Sequence, residues 1–255
     1  MLLGDGGVLP FILIPLVLVI AGIGMYAAWK AEQKRLAAFR ELADELGLSF
    51  SEARDTGHDE RFARFALFRR GRSRVAYNTL TGSVEVGGHD LRVRMGDFQY
   101  KVDRGSGKNR RTETVRLSYL IAWNPLGSCP ETIVRREGIM DRMAGLLGFD
   151  DIDFESIEFS KAFHVSSDDK RFAYDLIDPR MMEYLMASAP PAFELDGGLV
   201  CLSTGKGRWE VSEFRARLDW IGGFLDRWPR HLADSMSPAD PGDGDRAEGG
   251  LGWFS

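Results

Sequence analysis

The residues from Val8 to Trp29, VLPFILIPLVLVIAGIGMYAAW, run for 22 positions without one charge, and a long polar body follows. A run of that length covers roughly 30 Å of hydrocarbon at about 1.5 Å per residue, where a helix satisfies its own backbone groups. It therefore reads as a transmembrane helix. Pro10 lies near its start, where a missing N–H costs little; Pro15 predicts a kink in the first half; and Tyr26 and Trp29 stand where interfacial aromatics belong. Lys30, Lys34, Arg35 and Arg40 follow the run, while only Asp5 precedes it. The positive-inside rule then predicts a single-pass protein of the inner (cytoplasmic) membrane, N-terminus outside and body in the cytoplasm. A cleaved secretory signal would need a positive n-region and a shorter apolar core, and this chain has neither. Gly22 and Gly24 are not spaced as G-x-x-x-G, so they give no support for helix dimerisation, and the oligomeric state stays unspecified.

The expected division is an anchor over 1–29, a cytoplasmic α+β domain over 30–234 with room for a subdomain boundary near 125–150, and a disordered tail over 235–255. About 200 residues outside anchor and tail are enough for one domain with a sizeable core. A net charge of −5 argues against nucleic acid as a partner, because phosphate binding leaves a basic footprint. Cys129 and Cys201 have neither metal spacing nor a disulfide framework, in keeping with a reducing compartment.

Leu36, Phe39, Leu42, Ala43 and Leu46 recur at helical spacing before Gly47, which predicts an amphipathic helix packed on the domain, and a short strand follows over 48–53. Phe62, Phe65 and Phe68, with arginines between them, predict a helix over 59–71 whose aromatic row enters the core. From Ser73 to Asn124 the period becomes alternating, which predicts an antiparallel meander with a turn at Gly87 and Gly88. In its second strand the apolar positions are odd up to Met95 and even from Phe98, and a bulge at Gly96 and Asp97 would absorb the slip. Further elements are a strand over 132–134, a helix through Ile139 to Leu147, a strand over 162–165, a short helix over 168–176, a helix after the Asp178–Pro179 pair, a hairpin around Asp196 to Gly198, and a closing helix from Val211 to Trp228. The fold class is α+β: one transmembrane helix, then an antiparallel sheet packed by several amphipathic helices.

The order NTLTG, DFQY, GSGKNRR, DIDFES, EFSKAFHVSSDDKRFAYDLIDPRMMEYL and LDWIGGFLDRWPR resembles a group of uncharacterised bacterial single-pass membrane proteins with a cytoplasmic α+β domain. The resemblance implies the architecture and carries no activity, cofactor or catalytic residue.

Candidate chemistry is sparse. The turn Arg104 to Arg111 departs from a phosphate loop, with Val102 and Asn109 where Gly and Ser or Thr are required, and reads as a basic hairpin turn. Its Arg104, Lys108, Arg110 and Arg111 are the candidate binding residues, for anionic lipid headgroups or a partner. Asp150, Asp151, Asp153, Glu155 and Glu158 fail the calcium-loop pattern, since Ser156 and Ala162 replace the required Gly and Glu, so a solvated acidic connection is expected. His58, His89, His164 and His231 are scattered singly. No catalytic residue, metal site or cofactor is assigned; His89, Asp90 and Asp97 are the nearest approach to a general-base neighbourhood. The expected function is a membrane-anchored binding or scaffold domain with a protein partner. The alternatives are a membrane-tethered hydrolase or transferase, or anionic-lipid recognition by the basic turn.

Overall fold

A computed structural model describes residues 9–136 and 152–237. The expected helix over 139–147, acidic residues 150 and 151, and the tail from 238 with Leu251, Trp253 and Phe254 lie outside the described residues.

The apolar run and the amphipathic helix after it are one element, helix α1 (Leu9–Leu46, 38 residues), with Pro15 inside it. Gly47, at φ +66°, ends it in the left-handed conformation that glycine adopts without strain. The helix changes character along its length. Leu16, Val17, Ile20, Ile23, Tyr26 and Trp29 are half or more exposed, whereas Leu36, Phe39, Leu42 and Ala43 are buried in the domain core. α1 is long and apolar enough to cross a membrane, and none of its apolar window is buried by the rest of the chain.

The body is built on one eight-stranded antiparallel sheet in the order β1-β2-β3-β4-β8-β7-β5-β6. β1 (Ser49–Ser51), β2 (Arg72–Val86), β3 (His89–Arg104) and β4 (Arg111–Trp123) form the expected meander. Pairing of β4 with β8 (Leu199–Ser203) carries the sheet on through β7 (Ala192–Gly197), β5 (Cys129–Arg136) and β6 (Phe163–Ser167).

The sheet buries both faces, and this explains the parity slip in β3. Leu91, Val93 and Met95 belong to a core under α1 and the later helices; Phe98 and Tyr100 belong to a second core on the opposite face. β3 pairs with β4 without interruption from Val93 to Arg104, so β3 is not bulged at Gly96 and Asp97. The irregularity sits across from them in β2, where Tyr77 faces Asp97 and Leu80 faces Met95, leaving one extra residue at Asn78 and Thr79. Gly96 is the counterpart of this bulge: a Cβ there would stand 2.6 Å from the Asn78 carbonyl oxygen.

The second face is closed by the segment from Asp55 to Arg70. The single helix expected over 59–71 is instead the four-residue helix α2 (His58–Arg61) and a 3₁₀ turn at Ala66–Arg69. Phe62, Phe65 and Phe68 are all fully buried, as their spacing predicted, because an irregular chain can also point every third side chain inward.

The first face is covered by α1, α6 (Val211–Leu225) and smaller helices: α3 (Ile157–Ala162), α4 (Lys170–Leu176), α5 (Pro179–Ser188) and α7 (Arg230–Ser235). One cap, at Asp178, is the one that the sequence suggests, and two more appear in the structure. Asp178 accepts from the Met181 N–H ahead of Pro179, Asp169 accepts from the Arg171 and Phe172 N–H groups, and Glu210 with Glu213 forms a capping box on α6. α3 begins at the end of the stretch expected to be an acidic connection. That stretch packs inward through Ile152, Phe154 and Phe159.

Candidate functional site

Where α1 leaves its exposed apolar stretch and enters the domain, its polar face carries Glu32 and Arg35. Asp97 lies beneath it on the β3 face shared with Leu91, Val93 and Met95, its side chain fully buried. Arg35 grips Asp97 with two charge-assisted bonds, Nε to Oδ2 at 2.8 Å and Nη2 to Oδ1 at 2.6 Å, and its Nη1 donates to the Trp209 carbonyl at 2.7 Å. The Ser118 hydroxyl donates to Asp97 Oδ1 at 3.0 Å and accepts from the Trp209 N–H at 3.0 Å.

The bulge in β2 supplies the next partner. Asn78, at φ +51°, adopts the left-handed conformation that asparagine tolerates better than most residues, and its amide donates to both Asp97 Oδ2 and Glu32 Oε1 at 3.2 Å. Arg208 completes the set, 3.0 Å from Glu32 Oε2 and 3.5 Å from Asp97 Oδ2. Burial pushes the Glu32 carboxyl up, but the hydrogen bond and charge of Arg208, with Asn78 and Arg35, outweigh it and hold the group below its ordinary value. Two carboxylates meet two guanidinium groups, and every Asp97 oxygen is occupied. Such a socket fixes position, with both Asp97 oxygens taken up by donors.

Sequence reasoning placed Asp97 near His89 and Asp90 as a general-base neighbourhood, and the structure separates them. His89 Nε2 is 3.0 Å from Asp226 Oδ1, at the start of β3, whereas Asp97 lies at mid-strand. At about 3.4 Å per residue, eight residues of strand set His89 and Asp97 roughly 27 Å apart. His58 is fully buried among Phe62, Phe68, Phe98 and Tyr119, at centroid distances of 4.6 to 5.9 Å, and neither ring nitrogen is hydrogen-bonded. Burial first, then the charges of Arg94 and Arg61, push it well below the ordinary histidine value, so the ring is neutral. Burial raises both thiols, Cys129 to about 12, which removes the thiolate a nucleophile requires. Among the described residues no group of three His, Cys, Asp or Glu side chains is placed to hold a metal ion.

The basic turn links β3 to β4, with Arg104 at the end of one strand, Lys108 in a 3₁₀ turn (Gly107–Asn109), and Arg110 and Arg111 leading into the other. Part of its charge is engaged by the hairpin itself: Arg104 Nε is 2.5 Å from Glu113, and Arg110 is 2.7 Å from Asp103. Hydrogen bonds from Thr112, Arg110 and Arg72 hold the Asp103 carboxyl well below the usual carboxylate range.

Sequence reasoning missed an open groove of about 1220 Å³ between residues 153–159, α4, α5 and α7. Its floor is apolar, with Phe154, Phe159, Ile177, Met182 and Met186, and acidic side chains stand around it. Tyr174 is packed edge-on against Phe154 at 5.3 Å and donates from its hydroxyl to the Asp153 carbonyl at 3.0 Å, pinning the 153–159 segment to α4. The signal in the sequence is the apolar residues at 152, 154, 157 and 159 interleaved with acids, a pattern shared with solvated acidic connections.

Comparison with protein-family models gives no match, and none of the curated proteins matches either. Among solved structures, the chain is similar to the crystal structure of the mycobacterial trehalose monomycolate transport factor A, TtfA, at 13% identity over 81% of this chain and 97% of that one, with a TM-score of 0.48. A likeness of that degree assigns no activity.

Proposed function

We propose that this protein is a single-pass membrane protein whose body is a binding or scaffold domain, held in the cytoplasm at the inner membrane with the N-terminus outside. The observation that carries the reading is the continuity of α1. One helix passes from an exposed apolar stretch to a buried core, and the socket of Arg35, Asp97, Asn78 and Ser118 locks it where the two meet. A helix that served only to close a soluble core would not leave Leu16 to Trp29 unpacked. The basic residues just after the span favour the inward orientation. Asp97 is fully bonded, His58 is sealed among aromatic rings and the thiols are protonated, so none of these groups is an accessible nucleophile or general base, which favours binding over catalysis.

Two measurements test the reading. The chain should stay in the membrane pellet through alkaline carbonate, and a protease added outside spheroplasts should leave the body intact. Release by carbonate, or digestion of the body from outside, would overturn it.

Recognition of anionic lipid by Arg104, Lys108, Arg110 and Arg111 is a second reading, favoured by one placement. Leu48, just past the C-terminal end of α1, lies against Gly82, whereas Arg35 and Glu32, nearer the span, lie at Asp97 and Asn78. Moving toward the span therefore moves along the sheet toward the end that bears the basic turn. Co-sedimentation with phosphatidylglycerol vesicles should fall in R110E/R111E; unchanged sedimentation removes this reading.

A further inference from the structure

The groove walled by residues 153–159, α4, α5 and α7 has an unequal charge distribution. Asp153, Glu155, Glu158 and Glu183 are all exposed on its walls, and none of them forms an ion pair among the described residues. The other two wall carboxylates are committed, Asp175 to Arg171 at 4.0 Å and Asp178 to the cap of α5, and His231 is the sole basic side chain among the lining residues. The apolar surface between the walls is open to solvent: Tyr174 is 49% exposed, Met186 42%, and Ile157 on the shoulder 70%. At about 1220 Å³ the groove exceeds the usual size of a small-molecule pocket, and its methionines can repack around an occupant.

The chain's own remaining segments have the wrong charge to fill it. Residues 137–151 carry Glu137, Asp141, Asp150 and Asp151 against Arg142; residues 238–255 carry Asp240, Asp243, Asp245 and Glu248 against Arg246. We infer that the groove seats a basic amphipathic helical segment of a protein partner, its apolar face on Phe154, Met182 and Met186 and its Lys or Arg side chains on the acidic walls. This deepens the binding-domain reading and rests on it.

The test uses the full-length chain in phosphatidylcholine nanodiscs, with empty nanodiscs as the baseline. The probes are two synthetic amphipathic peptides of about five turns, one of Leu and Lys and one of Leu and Glu. The expected result is saturable binding of the Leu/Lys peptide by fluorescence anisotropy, with no binding of the Leu/Glu peptide. The affinity should weaken about tenfold or more in E155K/E158K/E183K and again in M186D. Equal affinity in the charge-reversed chain, equal binding of both peptides, or no binding above empty discs would overturn the inference. So would a dimer of the chain that M186D dissociates, which would give the groove to a second copy. Carbonate extraction of the same preparations separates the two levels: a chain that stays in the membrane but ignores the peptide loses the groove and keeps the anchor.

Discussion

Acidic side chains gather at two places in this molecule, and they are treated in opposite ways. Asp97 is fully buried under α1 and takes bonds from Arg35, Asn78 and Ser118; Asp153, Glu155, Glu158 and Glu183 stand exposed around an apolar groove with no cation on them among the described residues. A buried charge without partners is expensive, so the chain supplies every partner for Asp97 itself. An exposed charge carries no such cost, and its counter-charge can come from another molecule. The first place is compensated within the fold, and the second leaves its charge without a counter-charge among the described residues.

The largest effect should come from breaking the socket. D97A leaves Arg35 buried without its carboxylate and should cost about 3–5 kcal/mol, read by urea unfolding of the detergent-solubilised chain. R35M/D97L, which removes both charges, should recover much of that loss, whereas no recovery would show that the ion pair itself stabilises the fold.

Glu194 offers a contrast inside the body. It is almost wholly buried on the second face, accepts from the Ala66 N–H at 3.1 Å, and burial pushes its carboxyl up to about 7. An acid whose folded value is raised contributes fully below the unfolded value and loses that contribution as pH rises through the folded one. Stability should therefore decline from about pH 4.5 to 7. E194Q keeps the acceptor oxygen and should flatten this decline, gaining on the order of 3 kcal/mol relative to the parent at pH 8–9 in chemical denaturation. An unchanged pH profile would show that Glu194 ionises freely in the folded chain.

G96A presses a Cβ against the bulge that aims Asn78 at Asp97, with 2.6 Å to the Asn78 carbonyl oxygen. It should cost about 1–2 kcal/mol by the same measurement, less than losing the charge because the bulge can shift while the pair remains. The smallest effect belongs to the groove: E155K/E158K/E183K should leave unfolding within about 0.5 kcal/mol of the parent, since exposed and unpaired side chains contribute little to folding. A large loss there would turn the acidic walls from a binding surface into a structural one.

The elements that the sequence made legible share a feature: each is governed by neighbours close along the chain. The apolar span, the Asp178–Pro179 cap of α5, the stripe of α6 and the strict alternation of Val115 to Trp123 all rest on local periodicity. What escaped depended on the third dimension. The parity slip in β3 invited a bulge because one buried face was assumed, whereas the segment around Phe62 to Phe68 covers the other face of the same strand. Phe62, Phe65 and Phe68 were placed correctly in the core and wrongly on one helix, because spacing by three is shared by helices and by tight irregular turns. Asp97 looked like a chemical group until Arg35, 62 residues earlier, closed on it. The groove was hidden for a similar reason, since Phe154, Tyr174 and Met186 come together only when three separate stretches pack.

The unbroken course of α1 also bears on how the body meets the apolar stretch. Only about two turns separate Trp29 from Leu36, the first side chain buried in the core, a rise of about 10 Å with no hinge in it. A domain on a slack tether samples every heading; along an unbroken helix, the face that Arg35 turns toward the sheet is set in phase with the faces of the apolar stretch before it. Each residue of helix is about 100° of rotation, so the chain length between Trp29 and Glu32 acts as an angular gauge. A single inserted residue would swing the groove by more than a quarter circle about the helix axis, and seven would return it close to its starting azimuth, about 10 Å farther along that axis.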